Sequence, residues 1–274
     1  MSKFNYYKEL EKLGIAYLGR WAQSAKMSAS YRNGTLTYCL YLAPANMSGH
    51  EVCPKSEHCR AFCLNNSGRN KGDIWVNGGI YNSKINRSRI RKTDLFFKDR
   101  QLFMLMLIYE INRAKNYAEK HGMGFSVRLN GTSDISPLAF SYNGVNILDV
   151  FPDVVFYDYS KVYTRYGVCE RYPNYDLTFS YDGWNWGECE NALKMNSRVA
   201  VVFFGNKLPK RFCGYDVVDA NEYDMRYLDP KCCICGLHYH KTANDYQIIN
   251  GKRTFVAPNT PFVIMPNDER CEWC

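Results

Sequence analysis

Three cysteines, Cys53, Cys59 and Cys63, fall within one stretch of eleven residues. Thiolates spaced this closely can bind a single metal centre, and the common centres with several sulfur ligands are zinc and an iron–sulfur cluster. The segment has no obvious fourth ligand, so a metal there would keep one coordination position open for chemistry. His58 is the nearby side chain that can close the site as a zinc centre. The alternative is three unrelated thiols, because free cysteine is often a small core residue.

Five further cysteines near the end of the chain suggest a second zinc site or cluster: Cys232, Cys233, Cys235, Cys271 and Cys274. Because side chains alternate along a strand, Cys233 and Cys235 can share a face that Cys232 cannot join. We do not expect disulfides, since the first residues, MSKFNYYKEL, contain no apolar signal-peptide core. Clustered cysteines in a reducing compartment more often bind metal. The expected location is the cytoplasm.

The positive charge of the chain is concentrated in one stretch. The formal net charge is +8, and the segment from Arg60 to Arg100 contains ten Lys or Arg and three Asp, a local balance of +7. This surplus favours an anionic partner such as nucleic acid or an anionic small molecule, although a solvated basic face is the simpler alternative. Of the 22 tyrosines, five cluster near the predicted functional end of the strands and can stack on nucleobases or simply line strand ends: Tyr157, Tyr159, Tyr163, Tyr166 and Tyr181. No apolar run reaches the roughly 18 residues of a membrane span.

The apolar pattern predicts an α/β fold. Residues 4–20 have helical spacing that ends near Gly14, and Asn33-Gly34 between two alternating runs predicts a hairpin. A helix is expected over 94–121 and a shorter one over 188–196. Seven apolar runs are typical of central strands: Leu36–Leu42, Phe125–Leu129, Val154–Tyr159, Tyr175–Phe179, Val199–Phe204, Tyr215–Val218 and Cys232–Leu237.

Strands alternating with helices favour parallel β/α units. We therefore expect an irregular or partial β/α barrel, with a doubly wound sheet as the alternative. The predicted division is an N-terminal helix and hairpin arm (1–34), the barrel-like domain (35–245) and a C-terminal tail (246–274). In such folds the functional residues follow the carboxyl ends of the strands, where this sequence places polar side chains. These are Arg128, Asn130, Ser133, Asp134, Tyr157, Lys161 and Ser180.

An ordered set of motifs carries a family resemblance over roughly residues 20–240. The motifs are the three-cysteine loop, Arg-Leu-Asn-Gly-Thr-Ser-Asp (128–134), Phe-Tyr-Asp-Tyr-Ser-Lys (156–161), Leu-Thr-Phe-Ser (177–180), Val-Ala-Val-Val-Phe (199–203) and Asp229-Pro230. Together they resemble the gene-88-like proteins of bacteriophages, which places the chain in the host-cell cytoplasm. Their organisation is in turn similar to the radical S-adenosylmethionine (SAM) enzymes.

The second resemblance implies a specific chemistry. Cys53, Cys59 and Cys63 would hold a [4Fe-4S] cluster, and SAM would bind the fourth iron. Residues implied to act in catalysis are Arg128, Asn130, Asp134 and Lys161, and residues implied to contact SAM are Asn130, Ser133, Tyr157 and Ser180. Lys161 and Arg165 would neutralise an anionic group. The spacing Cys-x5-Cys-x3-Cys differs from the usual Cys-x3-Cys-x2-Cys, and no clear glycine-rich motif follows the second strand.

Three hypotheses follow from the sequence. The first is a radical SAM-like iron–sulfur enzyme acting on an anionic substrate, for which a nucleic-acid-derived molecule is one candidate. The second is a zinc-containing module that docks nucleic acid on the basic segment 84–92. The third is a phage interaction protein without catalytic activity.

Overall fold

The computed structural model describes residues 4–21, 25–66, 84–242, 245–250 and 252–273. The chain forms two compact units, each taken here over its described residues. The first unit comprises Met1–Pro54, Lys84–Asp158 and Arg165–Asp176. The second comprises Lys55–Ser83, Tyr159–Thr164 and Leu177–Cys274. The three-part division expected from the sequence stays a prediction.

The regular elements are numbered in chain order. The helices are α1 (Tyr6–Leu13), α2 (Ala25–Arg32), α3 (Lys84–Lys98), α4 (Arg100–Lys120), α5 (Ile147–Val150), α6 (Tyr166–Arg171) and α7 (Trp186–Lys194). The strands are β1 (Gly19–Arg20), β2 (Thr35–Leu40), β3 (Gly124–Arg128), β4 (Ser141–Tyr142), β5 (Val145–Asn146), β6 (Val155–Ser160), β7 (Tyr175–Ser180), β8 (Arg198–Phe203), β9 (Arg211–Phe212), β10 (Tyr215–Asp219), β11 (Ile234–His238), β12 (Tyr246–Ile249), β13 (Lys252–Phe255), β14 (Val263–Ile264) and β15 (Cys271–Glu272).

The first unit is built on a mostly parallel sheet. Its strands follow the order β1–β2–β3–β6–β7, to which β7 contributes only its first residues. β2 runs parallel to β3 and β3 parallel to β6, whereas β1 is antiparallel to β2. Every residue of β2 after Thr35 is buried, as expected for a strand covered on both faces.

Helix α4 packs against β2 and β3 and supplies much of the core of the first unit. Its fully buried side chains recur every three or four residues, which is the period of one helical face. They include Phe103, Met106, Leu107, Ile111 and Ala114. Glu110 is also buried on α4, at 5% exposure, and a buried carboxylate requires polar partners.

The second unit is also built on a mostly parallel sheet, whose strands follow the order β7–β8–β11–β10–β9–β15. The pairs β7–β8, β8–β11 and β11–β10 are parallel, whereas β9 and β15 are antiparallel to their neighbours. β14 pairs in parallel with the end of β8, and β12 and β13 form a separate antiparallel pair.

The expected α/β class with a largely parallel sheet is confirmed, and each of the seven predicted central runs overlaps a strand. The sheet is not closed into a barrel, because in neither unit does the described strand order return to its first strand. Within the described residues, no helix is long and apolar enough to cross a membrane.

The predicted hairpin around Asn33-Gly34 is wrong. The residues before the turn form α2, and the residues after it form β2. Gly34 has φ 81° and its N–H donates to the carbonyl of Tyr31. A glycine at positive φ ends a helix as readily as it forms a hairpin turn, so the Asn-Gly signal is ambiguous.

The helix expected over 94–121 is instead two helices, α3 and α4. Asp99 separates them as the N-cap of α4, where its side chain accepts a hydrogen bond from the N–H of Leu102 at 3.0 Å. α3 begins ten residues before the predicted start, at Lys84. The apolar pattern did not reveal this earlier start, because the first turns of α3 contain many Arg and Lys residues and few apolar ones.

Candidate functional site

The loop that follows β3 is organised around Asn130, a predicted site residue that is 3% exposed. Its backbone N–H and side-chain Nδ2 donate to the two carboxylate oxygens of Asp158, at 2.8 and 2.9 Å. Nδ2 also donates to the carbonyl of Ile135 at 3.0 Å. Oδ1 accepts from Ser133 Oγ at 2.8 Å and from the N–H of Ile135 at 2.9 Å. The side chain therefore uses both of its donors and both of its acceptor positions within the loop.

Asp158 lies at the end of β6 and is almost fully buried. Burial raises the pKa of its carboxyl to about 7, while the hydrogen bonds from Asn130 and the charge of Arg128 lower it. Asp134 contributes a further upward shift. The pair Asn130–Asp158 thus joins the ends of two neighbouring strands through one buried carboxyl group.

Two other predicted residues lie in the same loop region. The guanidinium of Arg165 donates to the carbonyl of Asp134 at 2.7 Å and lies 3.6 Å from its carboxylate. The N–H of Asp134 donates to the carbonyl of Val52 at 2.8 Å, which connects the loop to the residue before Cys53. The structure therefore brings Asn130, Ser133, Asp134 and Arg165 together in the first unit.

Cys53 is half-buried beside this loop. Its Sγ accepts a hydrogen bond from the N–H of Ala45 at 3.3 Å and lies 3.8 Å from the carbonyl oxygen of Thr132. Hydrogen bonds from backbone N–H groups to sulfur stabilise a thiolate and tune sulfur-bound metals. Cys53 thus has one feature expected of a thiolate ligand.

The remaining predicted residues lie elsewhere. Tyr157 is 1% exposed, with its side chain in the core of the first unit. Cys59, Cys63, Lys161 and Ser180 belong to the second unit. Lys161 Nζ lies 5.7 Å from the ring centroid of Phe262, and the carbonyl of Ser180 accepts from Asn185 Nδ2 at 3.0 Å.

The described residues show no assembled metal site at the three predicted ligands Cys53, Cys59 and Cys63. Cys59 Sγ lies 3.8 Å from the carbonyl of Ser56, and Cys63 follows the 3-10 turn Arg60–Phe62. His58 stacks on Trp184 with ring centroids 3.8 Å apart. Across the part of the chain that the structure describes, no three His, Cys, Asp or Glu side chains are grouped closely enough to hold a metal ion.

The prediction that Cys233 and Cys235 share a strand face without Cys232 agrees with their burial. Cys233 and Cys235 are both buried and hydrogen-bond to each other, which lowers the pKa of Cys233 and raises that of Cys235. Cys232 is exposed and its Sγ lies 3.2 Å from Asn196 Oδ1. Cys274 lies outside the described residues. None of the cysteines that the structure describes forms a disulfide.

The basic segment forms α3, in the first unit. The first ten residues of this helix, 84–93, contain five Lys or Arg and no acidic residue. The side chains of Lys84, Arg87 and Arg91 are exposed. The guanidinium of Arg89 lies 5.2 Å from the ring centroid of Tyr41.

A cavity of about 450 Å³ lies in the first unit. Its lining is mostly aromatic and basic side chains: Tyr6, Tyr7, Leu10, Ala16, Tyr17, Gly19, Arg20, Trp21, Tyr38, Glu110 and Arg113. Sequence reasoning missed it, because the residues come from α1, the segment around β1, β2 and α4. The only local signal was the density of tyrosines at the start of the chain.

Comparison with known proteins gives one match: a family model described as Gene product 88 matches residues 12–252. The chain belongs to this phage gene-88-like family. No curated protein and no solved structure matches the chain.

For this Gene product 88 chain, the matched range includes the three-cysteine loop, the Asn130 loop and α3. The predicted phage-family resemblance is confirmed. The match does not extend to radical SAM organisation, so that part remains a proposal.

Proposed function

We propose that this Gene product 88 protein binds nucleic acid through a basic and aromatic surface of its first unit, in the host-cell cytoplasm. The observation that carries the proposal is α3, with five basic residues and no acidic residue over 84–93. Phosphate groups are the usual partners of such a surface, because binding releases counterions from the nucleic acid.

Aromatic rings lie beside these cations. Arg89 of α3 lies over Tyr41, with its guanidinium 5.2 Å from the ring centroid. Arg20 lies over the ring of Tyr17 at 4.5 Å. Rings that can stack on bases, next to cations that can contact phosphates, are typical of single-strand binding surfaces. The surface therefore favours single-stranded over duplex ligands.

The test is binding of a fluorescent single-stranded oligonucleotide, measured by anisotropy between 50 and 200 mM salt. We expect affinity to fall steeply with salt, and the double variant Lys84→Gln/Arg87→Gln to lower the slope of log K against log salt by about 0.7 for each lost phosphate contact. The matched control is Lys194→Gln, whose side chain is exposed on α7 of the second unit. Absence of binding at 50 mM salt, or an equal effect of the control, would contradict the proposal.

The second candidate is an iron–sulfur protein of radical SAM type with Cys53, Cys59 and Cys63 as ligands. The N–H of Ala45 that donates to Cys53 Sγ favours it, and none of the three cysteines is in a disulfide. Among the described residues, no three possible ligands are grouped closely enough to hold a metal ion. Asn130 is also fully hydrogen-bonded internally, which suits a residue that positions the loop better than one that contacts SAM.

Metal analysis after anaerobic purification tests this candidate. We expect several irons per chain and a brown colour, both lost in Cys53→Ala, Cys59→Ala and Cys63→Ala but kept in the control Cys169→Ala. About one zinc per chain would instead support the zinc-module hypothesis. A colourless protein without iron rejects the cluster.

A further inference from the structure

The floor of the 450 Å³ cavity is held rigid by one buried carboxylate. Glu110 accepts hydrogen bonds from the hydroxyls of Tyr6 and Tyr38 and from the N–H groups of Leu18 and Gly19, the last two at 2.8 Å each. Four donors satisfy the acceptor capacity of a carboxylate. Glu110 therefore fixes the tyrosines of the floor.

The rim of the cavity is cationic. The guanidinium of Arg20 lies 4.5 Å from the Tyr17 centroid, and that of Arg113 lies 5.8 Å from the Tyr7 centroid. Both arginines are exposed, and within the described residues neither forms a salt bridge. Guanidinium groups in this state are suited to bidentate contact with a phosphate.

The walls are aromatic and partly open to solvent. Tyr7 is 60% exposed, and Tyr17 and Trp21 are half-buried. The ring of Trp21 stacks on that of Tyr117, with ring centroids 5.8 Å apart. Flat aromatic rings with an accessible face can stack on a nucleobase.

We infer that this cavity binds a nucleoside monophosphate, with the base against Tyr7, Tyr17 and Trp21 and the phosphate at Arg20 and Arg113. The inference rests on the proposed nucleic-acid function, and it specifies that the cavity binds one nucleotide of the nucleic acid. The volume is in the range of about 300–1,000 Å³ usual for small-molecule sites. The same group occurs as a free nucleotide and as the phosphorylated end of a strand, and the experiment separates these two sources.

The experiment measures binding of AMP, dTMP and inorganic phosphate to the full chain by calorimetry and by Trp fluorescence. We expect saturable binding of both nucleotides, weakened at least tenfold by Arg113→Gln and by Tyr7→Ala. Both residues are exposed, so neither change disturbs the core. The matched control is Arg171→Gln, whose guanidinium lies over Tyr172 at 5.1 Å, outside the cavity lining.

Three outcomes overturn the inference: no saturable nucleotide binding, inorganic phosphate binding as tightly as AMP, or an equal effect of Arg171→Gln. A strand with a 5′-phosphate that competes with AMP, where the unphosphorylated strand does not, identifies the strand end as the ligand. Competition by neither strand identifies the free nucleotide.

The two proposals fail in different ways. Oligonucleotide binding without nucleotide binding removes the cavity assignment and keeps the function of α3. Nucleotide binding without any oligonucleotide binding keeps the cavity assignment, as a free-nucleotide site, and removes the proposed function.

Discussion

At the scale of single residues, hydrogen-bond saturation separates side chains that position the site from side chains that can bind a ligand. Asn130 and Glu110 are buried, and their partners within the first unit occupy all of their polar positions. Arg20 and Arg113 are exposed, and their guanidinium groups lie over tyrosine rings. The first pair stabilises the fold, and the second pair remains available to an anion.

This distinction predicts unequal costs within the Asn130 loop. Asn130→Ala removes four side-chain hydrogen bonds, one of them to the buried Asp158, so we expect it to lower the free energy of unfolding by about 3 kcal/mol. Ser133→Ala removes a single bond to Asn130 and should cost about 1 kcal/mol. Urea unfolding of both variants measures the difference. Equal costs would show that Asn130 does not organise the loop.

A second residue-scale prediction concerns Lys92, which is 3% exposed. Burial, together with the positive charges of Arg89 and Arg20, lowers its pKa to about 7, while Glu110 opposes the shift. Since the folded pKa is below the unfolded one, the unfolded chain binds the extra proton between these values. Stability from this group therefore rises as pH increases from 7 towards 10 and is lowest below pH 7.

Lys92→Met should accordingly stabilise the protein more at pH 6 than at pH 9.5. Thermal unfolding at the two pH values measures this. Lys98→Met, at an exposed position of the same helix, is the control and should shift the unfolding temperature little at either pH. A Lys92→Met effect that is independent of pH would mean that Lys92 keeps an ordinary pKa in the folded protein.

At the scale of elements, the sequence predicted what depends on local apolar pattern. The seven central strands were visible because each is a short run rich in apolar residues, and several, like β8, are largely buried. The boundary between α3 and α4 and the nature of α2 were missed, because Asn-Gly and Asp each fit more than one type of turn. The cavity was missed for a different reason: Tyr6, Tyr38 and Glu110 are far apart in the chain and meet only through packing.

The junction between α3 and α4 gives a prediction at this scale. Asp99→Ala removes the hydrogen bond to the N–H of Leu102 and leaves a donor of the first turn of α4 unsatisfied. We expect a loss of about 1 kcal/mol in unfolding free energy. Asp94→Ala removes two contacts, to His50 and to Lys98, and both are partly exposed to solvent. This variant should therefore cost less than about 0.5 kcal/mol. Chemical denaturation compares the two variants.

At the scale of the whole molecule, charge and sulfur are distributed differently between the two units. The first unit contains α3 and the cationic cavity, both of which suit an anionic ligand. The second unit contains most of the cysteines, including the buried pair Cys233 and Cys235. The sequence predicted a basic segment and many cysteines outside disulfides. It did not predict that the two features would belong mostly to different units.

Differences in cysteine exposure predict the order in which the thiols are alkylated. The same measurement tests whether Cys53, Cys59 and Cys63 hold a cluster. In reduced, metal-free protein, exposed Cys232 should react with a maleimide first and the buried cysteines last, with Cys53, Cys59 and Cys63 between them. The buried cysteines are Cys39, Cys189, Cys233 and Cys235. After anaerobic reconstitution with iron and sulfide, a bound cluster should protect Cys53, Cys59 and Cys63 and leave the rate at Cys232 unchanged. Mass spectrometry of the labelled peptides reads each site separately. If reconstitution leaves those three rates unchanged, the chain holds no cluster there, and nucleic-acid binding by the first unit stands alone.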